Sequence, residues 1–180
     1  NNLNGNFEPT KGQLTIEKLN PPNRIFTNRY WQQPDQQILS KKEFQEAFPH
    51  IAYGDENEFH TWPVQRAIVS RDFDTEKSNI ISLEKVKIDA GVYKMVVTAK
   101  DQFGTEVKKE KYVEVYDLNK RKMPHPKSLW HFQEQQIFEP KKTANIWFGS
   151  ALPQLPVLYE VERDGQILFR KWLSVSQLNK

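Results

Sequence analysis

Four histidines, His50, His60, His125 and His131, are the first residues to weigh for chemistry, because imidazole serves both as proton carrier and as metal ligand. None shows the i, i+4 spacing of a helical zinc pair, and none stands with an acidic partner in a known arrangement, so surface or rim positions are the stronger reading. Two acidic runs, Asp55-Glu56-Asn57-Glu58 and Asp72-Phe73-Asp74-Thr75-Glu76, could gather a calcium ion. Neither follows the ligand spacing of an EF-hand loop, and both read better as solvated turns. The basic groups Lys108, Lys109, Lys111 and Lys120, Arg121, Lys122 lack the interleaved aromatics of a single-strand binder, and Glu106, Glu110 and Glu114 dilute the first of them. Five tryptophans, Trp31, Trp62, Trp130, Trp147 and Trp172, could stack on sugar rings, but in a chain this poor in aliphatics they are needed for packing. There is no cysteine, hence no thiolate zinc site and no cysteine nucleophile. No G-x-S-x-G elbow and no phosphate loop occurs. The expectation is a non-enzymatic protein with no catalytic residues, no cofactor and no metal.

The elements that must position these residues are bounded by composition. The chain has 180 residues, 37% hydrophobic and 27% charged, which describes a thin core in which the 12% of aromatic residues carry much of the burial. A net charge of +3, evenly interspersed, argues against nucleic acid, and no apolar run reaches the ~18 residues that span a bilayer. No initiator Met, secretory apolar region or lipidation signal is present at the N-terminus, so the expectation is a mature product or an excised piece. Eleven prolines against seven glycines, with short alternating runs between them, favour an all-β chain.

The best-patterned stretch is Gly91 to Asp117. Tyr93, Met95, Val97 and Ala99 alternate with mostly polar neighbours, and Val107, Val113 and Val115 form a second run, so a long hairpin is predicted. Asp101 and Gly104 suit the first and last positions of a type I turn. Lys109 and Lys111 share parity with the valines, which predicts a β-bulge or an edge position there. Gln13 to Leu19 and Val64 to Phe73 read as strands, and Ile80 to Ile88 as one or two more. Between Arg24 and Pro63 lies an aromatic-rich insertion. Within it Ser40 and Glu43 match a capping box, Leu39 and Phe44 fit a hydrophobic staple, and Phe44 and Phe48 form one helical stripe to be pinned on the sheet. Trp31 and Trp62 complete the insertion's packing residues.

After Asp117 a basic, proline-containing stretch reads as a solvated linker. Strands restart at Leu129 to Gln133, Thr143 to Ser150, Val157 to Arg163 and Gln166 to Ser174, the last two joined by Asp164-Gly165, a strong hairpin signal. A regular register from Arg163 opposite Gln166 sets Val157, Tyr159 and Val161 with Leu168 and Trp172. The organisation expected is a polar leader over 1–12, a β-sandwich over 13–117 with its insertion over 24–63, a linker over 118–127 and a partial second sandwich over 128–180. Four strands fall short of the usual seven, so the second domain is expected to continue past Lys180.

The ordered blocks GQLTIEKLNPP, RYWxxPD, KEFxxxFPHxxYGDE and TWP resemble the large envelope alpha-2-macroglobulin-like proteins of Bacteroidetes. GVYKMVVTAKDQFG resembles the terminal hairpin of a macroglobulin-type sandwich. EPKKTANIWFGSA with VLYEVERDGQIL resembles the opening strands of the next domain, although Pro140-Lys141-Lys142-Thr143-Ala144 stands where a tight P-G-E-x-A turn is common. The resemblance implies tandem fibronectin- or immunoglobulin-like β-sandwich domains in a protease trap, exported to the periplasm or outer envelope, with any lipid anchor outside these residues. It implies neighbouring domains of the same chain as partners, with host or competitor proteases met through the full-length protein. Any Cys-Gln thioester lies elsewhere, since no cysteine occurs here. The rival expectation is a ligand-binding, glycan-binding or adhesive β-sandwich module of a cell-envelope protein. Coplanar, exposed Trp31, Tyr53 and Trp62 would favour it, and packing of these rings under the helix would count against it.

Overall fold

A computed structural model describes residues 8–101, 103–133, 137, 139 and 141–179. The first seven residues of the expected leader, Gln102 of the hairpin loop, Pro140 of the departing turn and Lys180 lie outside them. The chain is mostly β, with two antiparallel sheets, as its alternating patterns predict. It divides into two compact units, one of Asn1–Pro21 with Phe59–Val115 and the other of Pro22–Glu58 with Tyr116–Lys180. Residues 24–58 of the insertion thus group with the second unit, and only 59–63 with the sheet whose sequence the insertion interrupts.

In the first unit, β1 (Lys11–Leu19), β2 (Val64–Asp74), β3 (Gly91–Lys100) and β4 (Glu106–Val115) form a sheet in the order β2-β1-β3-β4. Cross-strand pairs share a face, so Tyr93 and Val113 look one way while Lys94 and Tyr112 look the other. The Tyr93 face carries the buried Leu14, Ile16 and Val69, roofed by Ile81, Leu83 and Val86. That roof is irregular chain where one or two strands were predicted. Ile81, Leu83 and Val86 are half-buried against the cluster without ladder bonds, and the backbone of Val86 turns back to the Leu83 carbonyl at 2.9 Å. Trp62, Leu19 and Val92 make a second buried cluster, joined by Phe59 and Tyr112.

β2 pairs with β1 through two register shifts, after Ile16 and after Lys18, which explains why its faces are mixed in sequence. The β3–β4 ladder has no shift, and β4 is the edge of the sheet. Lys108, Lys109 and Lys111 are therefore exposed on an unbulged edge strand, where their charge discourages pairing with another chain.

In the second unit, α1 (Lys41–Ala47) is a seven-residue helix, and β5 (Trp130–Gln133), β6 (Ile146–Arg163) and β7 (Gln166–Asn179) form a sheet in that order. The two strands predicted over Thr143–Ser150 and Val157–Arg163 are one. Its pairing with β7 is interrupted between Ser150 and Leu155, where Pro153 falls and Gln154 adopts φ 54°. The stretch predicted as a linker carries contacts of its own. Asp117 and Lys122 exchange backbone bonds of 3.1 and 2.9 Å, and Leu118 and Met123 pack with Tyr116 against Trp130 and Trp147.

The β6–β7 hairpin corrects the predicted faces. Arg163 opposes Gln166 and Glu162 opposes Ile167, but Val161 opposes Phe169, so Leu168 is an extra residue. One extra residue exchanges the faces of everything beyond it. Val157, Tyr159 and Val161 therefore share a face with Leu173, Lys171 and Phe169, whereas Trp172 stands with Leu158.

Candidate functional site

The residues singled out from the sequence do not converge. Asp101 closes the β3–β4 turn: its Oδ1 accepts from the amides of Phe103 at 2.9 Å and Thr105 at 2.8 Å, while its carbonyl accepts from Gly104 at 3.0 Å. Gly104 takes φ +82°, which a left-handed turn position requires. Asp164 and Gly165, at φ 53° and 77°, give the β6–β7 turn the two positive angles of a type I′ hairpin. Both turns are backbone devices.

The capping box of α1 forms in both directions. Ser40 Oγ accepts from the Glu43 amide at 3.4 Å, and Glu43 Oε2 accepts from the Ser40 amide at 2.8 Å and from its hydroxyl at 2.6 Å. The Ser40 hydroxyl, aided by its amide, holds the Glu43 carboxyl below the ordinary range.

Around α1 lies the richest aromatic cluster of the insertion. Phe44 is buried and meets Phe48 at 5.1 Å and Tyr53 at 5.5 Å between ring centroids, and Trp31 meets Phe48 edge-on at 6.1 Å. The stripe predicted to pin the helix to the sheet thus packs on the insertion's own rings. Arg29 donates to the Ala52 carbonyl and lies 5.8 Å from the Phe44 centroid; its other terminal nitrogen is buried without an acceptor, leaving the ring face as its neighbour. Trp62 does not belong to this cluster. It is 6% exposed in the core with Leu19 and Val92, so Trp31, Tyr53 and Trp62 form no exposed platform.

The acidic runs are tied into local structure. Glu56 Oε1 pairs with Lys41 Nζ at 2.8 Å, and Oε2 accepts from the Gly54 amide at 2.7 Å. Burial pushes the Glu56 carboxyl up, but Lys41 and the Gly54 amide outweigh it and leave it below its usual range. Asp74 holds Lys11 at 3.5 Å and Lys77 at 3.9 Å, and Asp72 accepts from Gln13 at 3.3 Å. Among the described residues no three of His, Cys, Asp and Glu gather closely enough to hold a metal ion. His50 Nδ1 lies 3.1 Å from the Ile25 carbonyl, His60 sits in a 3-10 turn at Phe59–Thr61, and His131 is exposed on β5.

Sequence reasoning passed over two features. An open cleft of about 980 Å³ lies at the end of the first sheet, lined by Phe73, Ile80, Ile81 and Ala99 with Lys11, Arg71 and Lys77 at its rim. Lys11 and Lys77 pair with Asp74, and Arg71 donates to the Ser82 carbonyl. On the edge strand, Glu110 Oε1 binds Lys108 at 2.8 Å and Lys94 at 3.0 Å. These lysines, Lys108 foremost, hold the Glu110 carboxyl down at about 2, and Glu110 raises Lys108 in turn. The signal for that triad was present in the cross-strand proximity of Lys94 to residues near Glu110, but only a fixed register reveals it. Neither feature presents a nucleophile beside a base.

Comparison with family models, curated proteins and solved structures finds no match for this chain.

Proposed function

We propose that the chain is a non-catalytic scaffold segment of a bacterial alpha-2-macroglobulin-like protease trap, exported to the periplasm or outer envelope and built from macroglobulin-type β-sandwich domains. The observation that carries this reading is how the chemically capable groups are used. Asp101, Asp164, Ser40, Glu43, Glu56 and Asp74 shape turns, a cap and surface ion pairs, which suits a mechanical role. The antiparallel sheets and the ordered motif blocks point the same way. No helix among the described residues is long and apolar enough to cross a membrane, which is compatible with export.

The test is to follow this chain, by an antibody raised against it, in source cells given an endopeptidase. The expected result is an envelope-fraction band that changes native-gel mobility on cleavage and carries the protease with it. A band confined to the cytoplasm, or one whose mobility ignores the protease, would overturn the proposal.

The alternative is a glycan-binding or adhesive module of the envelope, favoured by the exposed neighbours Tyr30 and Trp31. The loss of Trp62 to the core weighs against a three-ring platform. Titration with oligosaccharides followed by tryptophan fluorescence decides it: a saturable change abolished by Trp31→Ala supports the alternative, and a flat response removes it.

A further inference from the structure

The β6–β7 hairpin leaves apolar side chains in solvent on both faces. Over Leu155–Arg163 and Gln166–Val175 only these two strands pair, among the described residues, and a two-stranded ribbon is marginal in water unless something covers it. The cross-strand register puts Leu158 opposite Trp172, Glu160 opposite Arg170 and Glu162 opposite Ile167 on one face. Trp172 is 66% exposed, Ile167 49% and Leu158 39%. Arg170 Nε reaches Glu160 Oε1 at 2.5 Å across the ribbon.

We propose that this face is a self-association surface, which a second copy of the chain covers with the same face about a twofold axis parallel to the strands. The charges select both the occupant and the axis. Acids stand on β6 and a guanidinium on β7, so the face is complementary to itself. An axis parallel to the strands lays β6 of the second copy across β7. Leu158 then meets Trp172 of the second copy, and Glu160 meets Arg170, so the two ion pairs close into one cluster. An axis running across the strands at Glu160–Arg170 would instead set carboxylate on carboxylate.

The apolar area is modest. A tryptophan offers about 150–250 Å², so the three exposed apolar chains together contribute on the order of 300 Å² per copy. Stable complexes bury about 800 Å² per partner, so the dimer is a weak one that forms in the micromolar range or above.

Sedimentation velocity over about three decades of protein concentration tests the proposal. The expected result is a reversible monomer–dimer equilibrium, weakened at least about tenfold by Trp172→Ala. Glu160→Arg alone leaves two cations per copy at the cluster, and Arg170→Glu alone leaves two anions, so each variant is expected to remain monomeric. An equimolar mixture of the two is expected to dimerise again. In the mixed dimer the guanidinium introduced at position 160 of one copy faces the carboxylate introduced at position 170 of the other, although neither ribbon regains its own pair. The mixture therefore separates contact between copies from folding of the hairpin. A wild type that stays monomeric throughout, single variants that dimerise as well as wild type, or a mixture that stays monomeric would each overturn the proposal.

Discussion

Two glycines of the first unit carry opposite constraints, and the contrast can be measured. Gly104 has φ +82° with open space where a Cβ would stand, so Gly104→Ala costs only the backbone penalty, about 1 kcal/mol. Gly12 has no such angle, but a Cβ there would lie 2.2 Å from the Thr98 carbonyl oxygen and 2.6 Å from the Phe73 ring. Since Thr98 is backbone of the neighbouring strand, Gly12→Ala must part β1 from β3, and about 3 kcal/mol is expected. Urea denaturation of both variants checks the order; equal losses would contradict it. At the same scale Glu110 sets a pH dependence. Its folded pKa, about 2, lies below the ordinary glutamate value, so its stabilising contribution is complete above the unfolded pKa and is lost as the pH falls through the folded one. Between about pH 4.5 and pH 2 the melting temperature of Glu110→Gln is expected to fall less than that of wild type. Parallel melting curves across that window would remove the triad from the account.

At the scale of elements, what sequence made legible was whatever is decided within a few residues. The Asp101–Gly104 turn, the Asp164–Gly165 turn and the Ser40–Glu43 box each depend on local angles and short-range bonds. What was illegible depends on neighbours distant in sequence. Nothing in Ile80 to Ile88 says that its alternation faces a sheet without joining it, and nothing in QILFRKW says that Leu168 is a bulge. The aromatic stripe of α1 is legible as a stripe, but its receiving surface is not, because Phe44 packs on Tyr53, nine residues further along the insertion. The bulge carries an expectation of its own. Deleting Leu168, which is half exposed, leaves Val161 opposite Phe169 and Glu160 opposite Arg170, so the hairpin should keep its faces and change in stability by only about 1 kcal/mol. Cross-strand proton contacts between residues 160 and 170 by NMR check this. Their replacement by contacts between 160 and 171 would mean that the bulge persists with Phe169 as the extra residue.

For the whole molecule, the division into two units gives Trp62 a decisive position. It stands at the end of the insertion in sequence, yet its buried cluster, with Leu19 and Val92, lies in the first unit, while the part of the insertion that ends at Glu58 belongs to the second. The backbone is clamped at the same place, since the Asn20 amide donates to the Pro63 carbonyl at 2.9 Å where the chain leaves for the insertion and returns. Trp62 is thus the anchor by which the returning chain is fixed to the first sheet. Truncating so large a buried ring costs about 3–5 kcal/mol. The cost should fall on the unit that owns the cluster, because the buried rings Trp130 and Trp147 draw on Tyr116, Leu118, Met123 and Phe132, all from the second unit. Hydrogen exchange on Trp62→Ala is therefore expected to lose protection over β1, β3 and β4 while β5 and the start of β6 keep theirs. Trp147→Ala is expected to give the reverse pattern. If either substitution deprotects both sets of strands equally, the two cores fold as one, and the boundary after Val115 would be a feature of geometry without a counterpart in stability.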